Sequence, residues 1–98
     1  MDKNILNYIN KTLDHMARTK ESAEECVKTI HSYTNAFDNS HILVWGRNAE
    51  YIQNQTERLQ ELTTQYLSVR LTLMELADSL GGEYKDYILA EEEKINER

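Results

Sequence analysis

Three histidines, one cysteine and several adjacent carboxylates are the side chains through which this sequence would do acid–base, nucleophilic or metal chemistry. His15, His31 and His41 lie 16 and 10 residues apart. They show no i,i+4 pairing and have no cysteine companions, so the ligand spacing of a structural or catalytic metal site is missing. Cys26 and His31 are five residues apart, which on a helix turns them to different faces and not into nucleophile and base geometry. The neighbouring carboxylates Glu24 and Glu25 likewise point to different sides of a helix. No glycine-rich phosphate loop occurs. The expectation is a non-enzymatic chain with no metal and no cofactor.

The elements that carry these residues follow from composition and period. The chain has 98 residues, 40% hydrophobic and 29% charged, with no proline and only Gly46, Gly81 and Gly82 as glycines. That length supports one domain with a thin core, and the scarcity of turn residues argues for an all-α fold. Leu6, Ile9, Leu13, Met16, Lys20, Ala23, Val27, Ile30, Thr34 and Phe37 keep a 3,4 spacing, which predicts a helix over about 3–37. Asp14 with Arg18 and Glu24 with Lys28 are candidate i,i+4 pairs on its exposed side. After Asp38, Asn39 and Ser40, a turn-forming cluster, the spacing returns at Ile52, Gln55, Leu59, Leu62, Tyr66, Val69, Leu73, Leu76 and Leu80. The second helix is placed at about 47–80, with a turn at 38–46 and a helical tail at 81–98. Two helices of similar length with a short connection should fold into an antiparallel hairpin, a rod roughly 50 Å long.

Within the predicted turn, Gly46 is expected to take positive φ or to let the turn's backbone approach closely. Trp45 is expected to close the open end of the seam beside Phe37 and Ile52, with a docking role as the second reading. Leu67, Leu71 and Met74 form a further apolar stripe on the second helix, near Ile5 and Tyr8 of the first. One packed neighbour cannot cover both stripes, and exposing three such side chains forfeits ~1.5–3 kcal/mol each. These five residues are the candidate partner interface, in a four-helix bundle completed by the partner. The alternative is that Gly81-Gly82 lets residues 83–96 fold back over them.

The net charge of −6 falls entirely within residues 38–98. Nucleic acid and anionic lipid, which call for clustered Lys and Arg, are not expected partners. Glu91, Glu92 and Glu93 are read as a solvated helix face. No apolar run approaches the ~20 residues of a membrane helix, so no membrane insertion is expected. The N-terminus lacks the apolar segment and small-residue cleavage site of a signal peptide. Cys26 is expected to be a buried free cysteine.

Two long helices in about 100 residues, a Trp-Gly pair near the middle and a Tyr-x-x-x-acid motif at Tyr87 and Glu91 resemble the WxG family of small type VII secretion proteins. Of the six tyrosines, only Tyr87 has an acid four residues on. Gly46 follows Trp45 directly, and Arg47 stands where the family's Trp-x-Gly has its glycine, a departure that fits the small helical partners of LXG-type toxins. That resemblance implies a hairpin that binds the toxin's N-terminal helical region, with or without a second small helical protein, and helps present it to the secretion ATPase. It also implies a cytoplasmic stage before export without a cleaved signal peptide, with Tyr87 and Glu91 as the export signal. A cytosolic homodimeric helical adaptor or immunity-type protein is the alternative.

Overall fold

A computed structural model describes residues 1–98 apart from the side chain of Asn39. Three helices account for nearly all of the chain: α1 (Lys3–Ala36), α2 (Ile42–Leu80) and α3 (Gly82–Glu97), with one 3₁₀ turn, Phe37–Asn39, after α1. No strand occurs among the described residues. α1 starts at Asp2, whose carboxylate accepts from the backbone N–H groups of Asn4 and Ile5 at 2.8 and 3.1 Å, satisfying donors that a helix start leaves open. α1 and α2 run antiparallel as a hairpin, and the molecule measures 60 × 19 × 18 Å. The expected all-α hairpin is therefore present, somewhat longer than the sequence estimate.

The extra length comes from the connection. α2 begins at Ile42 and not near residue 47, so the turn expected over 38–46 closes by His41. His41 is extended and its Nδ1 accepts from the N–H of Leu43 at 3.1 Å, which caps the new helix five residues earlier than the seam spacing indicated. Trp45 and Gly46 consequently lie inside α2 and not in the bend. Gly46 neither takes positive φ nor lies against another part of the chain, since an added Cβ would meet nothing within 4 Å; of the three glycines, Gly81 and Gly82 take positive φ, at 63° and 52°.

Those two glycines make the second reversal. L-residues with side chains rarely adopt such angles, and here they turn the chain so that α3 runs back antiparallel to α2. The core is accordingly three-helical at one end of the rod: Ile9, Leu13 and Met16 of α1, Leu73 and Ala77 of α2, and Ile88 and Ile95 of α3 are buried together. Towards the α1–α2 turn only two helices pack. There Phe37 meets Trp45 edge-to-face at 6.3 Å and Tyr33 meets Tyr51 at 5.2 Å. Cys26 is buried as expected.

Candidate functional site: the α2–α3 flank and the docked tail

The folded-back tail divides the five candidate interface residues. Ile5 and Met74 are half-buried and pack against the three-helix core, so they serve the chain's own stability. Tyr8 is exposed, but on the face away from α3, where it lines a shallow groove of about 360 Å³ with Lys11, Thr12, His15, Val69 and Thr72. Leu67 and Leu71 remain 57% and 59% exposed. The five residues thus do not form one surface. Leu67 and Leu71 alone keep the character predicted for a docking stripe, one helical turn apart on α2. The α2–α3 register, set by the pairs Arg70–Glu92 and Asp78–Lys85, brings Leu89 of α3 alongside, and it too is exposed. The sequence reading did not single out Leu89, whose position beside α2 follows only from the pairing of α3 with α2.

α3 is fastened by polar contacts as well as by its two isoleucines. The Tyr84 hydroxyl accepts from the backbone N–H of Asp2 at 2.6 Å, and the Tyr87 hydroxyl donates to Asn10 Oδ1 on α1. Lys20 Nζ donates to the carbonyls of Ile95, Asn96 and Arg98 at 2.6, 3.1 and 2.9 Å. A lysine in an apolar seam is thereby explained: it caps the C-terminal end of α3, where unpaired carbonyls and the helix dipole favour a cation.

Glu92 overturns the reading of Glu91–Glu93 as a solvated face, because it is only 7% exposed. Its Oε1 accepts from Arg70 Nε at 2.6 Å and from the Asn96 amide, and Asn96 Oδ1 in turn accepts from the Tyr66 hydroxyl. A buried carboxylate requires such partners. Burial, reinforced by the charge of Glu92 and opposed by Arg70, raises the Tyr66 phenol above its ordinary value. The hydrogen bond from Arg70 to Glu92, helped by its charge, raises the guanidinium.

The remaining predicted residues are placed as follows. Tyr87 and Glu91 share a face of α3, but Tyr87 is half-buried against α1 and Glu91 accepts from Lys94 at 2.9 Å. Neither is a free ligand in this conformation. Trp45 is 42% exposed, with its indole N–H donating to the Ser40 carbonyl at 3.3 Å. It partly closes the tip, while Ile42 and Leu43 beside it stay exposed. Asp14 pairs with Arg18 at 3.0 Å as expected, whereas Lys28 pairs with Glu25 and not Glu24, at 3.2 Å.

Among the described residues, no group of three or more His, Cys, Asp or Glu side chains could hold a metal ion, and no helix is long and apolar enough to cross a membrane. No protein-family model, curated protein or solved structure matches the chain.

Proposed function

We propose that this chain is a non-enzymatic, type VII secretion-associated binding protein whose α2–α3 flank docks the N-terminal helical region of an LXG-type toxin and contributes to its targeting or export. One observation carries the reading. After α3 has folded back and covered Ile5 and Met74, Leu67 and Leu71 are still more than half exposed on a long, regular helix. Fully burying each would contribute ~1.5–3 kcal/mol, and an apolar stripe with i,i+4 spacing is the pattern that a partner helix covers. The shape supports it as well: a 60 Å rod presents enough continuous length to lie along a helical partner. Export, the secretion ATPase and a second small helical protein enter this proposal through the Trp45-Gly46 and Tyr87–Glu91 resemblance.

Co-expression with the N-terminal helical region of an LXG-type toxin tests the reading. The two should elute as one complex, and Leu67→Glu with Leu71→Glu should release the chain as a folded, fully helical species. Failure of the wild-type chain to form the complex rejects the toxin-partner reading.

The docked tail favours a second reading, the cytosolic homodimeric adaptor or immunity-type protein. In that case the Tyr87 hydroxyl is a packing contact to Asn10 and not part of an export signal. Export assays separate the two: loss of the protein from the culture medium on Glu91→Ala, with folding unchanged, supports the signal.

A further inference from the structure

The link between α2 and α3 is a single residue, Gly81, and α3 itself opens on Gly82. Both hold positive φ, and an added Cβ at either would meet nothing within 4 Å. The reversal is therefore maintained by backbone conformation and by the docking of α3, and not by crowding at the hinge. If both residues take ordinary helical angles, α2 and α3 become one uninterrupted helix over 42–97.

The contacts that seat α3 lie away from the hinge. Ile88 and Ile95 enter the core beside Leu13 and Leu73, Glu92 meets Arg70, Tyr87 meets Asn10, and Lys20 caps the helix end. The groove is thus complementary to an α3 from either chain. The register is also antiparallel: Asp78 pairs with Lys85 and, farther from the turn, Arg70 pairs with Glu92. In two opened chains, the continuous helices can therefore lie antiparallel, each α3 along the other's α2, and a two-fold axis reproduces every contact.

We propose that α3 is exchanged between two copies of this chain, giving a symmetric dimer in which the groove of each hairpin holds the α3 of the other. Connections too short to relax are those in which such exchange is favoured. This dimer does not depend on the secretion reading, since its occupant is the segment already seen in the groove. The hairpin tips lie at opposite ends of the dimer, which roughly doubles the length of the rod.

Mixed thiol cross-linking tests the exchange. In a Cys26→Ala background, one chain carries Asn10→Cys and the other Tyr87→Cys, two positions bridged across α1 and α3 by the tyrosine hydroxyl, so a short bismaleimide spans the gap that the shorter cysteines leave. Mixed at high concentration and treated with it, they should give a covalent heterodimer of two 11.5 kDa chains well above the statistical share set by the two homodimers. Gly81→Ala with Gly82→Ala should lower the dimer dissociation constant at least about tenfold, because alanine resists the left-handed hinge and accepts the continuous helix. A chain with both cysteines that closes only its internal cross-link at every concentration, with no heterodimer excess in the mixture, overturns the proposal. So does a dimer whose cross-links stay intramolecular. Should the alanine hinge lose its helical circular dichroism, the mixture with the natural glycines decides.

Discussion

Arg70 on α2 places its Nε 2.6 Å from Oε1 of Glu92 on α3, yet the two ends of this pair differ in burial: the arginine side chain is 45% exposed and that of the glutamate 9%. The cost of breaking the pair therefore depends on which end is removed. Arg70→Ala leaves the enclosed carboxylate with Asn96 as its remaining side-chain donor and should destabilise the protein by about 1–3 kcal/mol. Pairing Arg70→Met with Glu92→Leu should recover most of that loss, because an apolar pair avoids the desolvation of two charges. Urea unfolding followed by circular dichroism measures both. An unchanged midpoint for Arg70→Ala would show that the pair does not hold α3.

Glycine substitutions should act in opposite directions. Gly46 lies inside α2 with open space around it and ordinary helical φ, so Gly46→Ala should stabilise the chain by about 0.5–1 kcal/mol. Gly81→Ala should instead weaken the docked form of α3 by about 1 kcal/mol or more, through its φ of 63°. Thermal unfolding midpoints of dilute, monomeric samples would rise for the first and fall for the second. A destabilising Gly46→Ala would return Gly46 to a turn.

Much of the fold was legible because the 3,4 spacing of α1 and α2 is long and regular, from Leu6 to Phe37 and from Ile52 to Leu80. The start of α2 was not. Its first turn, Ile42 to Trp45, is apolar on all sides and carries no seam, and the His41 cap that marks the boundary is a side-chain contact formed only in the folded helix. The docking of α3, offered by Gly81-Gly82 only as the alternative, was undecided for a different reason. Its inward face reads Ile88, Glu92, Ile95, and the acid at its centre looks like solvent exposure until Arg70 is placed opposite. Lys20, a polar break in the α1 seam, was the available signal that something other than an apolar helix face would cover that position.

Alkaline pH should loosen the tail before the hairpin. The Tyr66 phenol is raised by burial first and then by Glu92, so its neutral form is favoured in the folded state. The stability linked to it is fully present below the ordinary tyrosine value of about 10 and is lost as pH rises through the higher folded value. Lys94, raised by its hydrogen bond to Glu91, has the same sign. The unfolding midpoint should fall as pH climbs beyond about 10, and Tyr66→Phe should flatten that decline. An identical decline in Tyr66→Phe would remove the phenol as its cause.

The stripe itself predicts a contrast within α2. Leu71→Glu should change stability by no more than about 0.5 kcal/mol, as expected for an exposed position. Met74→Glu places a carboxylate against the three-helix core and should cost several kcal/mol. Comparable losses at both positions would mean that Leu71 is covered within the chain and is no docking residue.

The central claim is that Leu67 and Leu71 form a partner surface, and titration calorimetry of the chain against the purified N-terminal helical region of an LXG-type toxin, the partner proposed for it, tests it most directly. The account predicts saturable binding with a negative heat-capacity change, the mark of apolar burial. Replacing both leucines with glutamate should weaken it by at least about a hundredfold, since the lost burial amounts to ~3 kcal/mol or more. No heat of binding for the wild-type chain, or equal affinity for the double variant with its helical content intact, would contradict the claim.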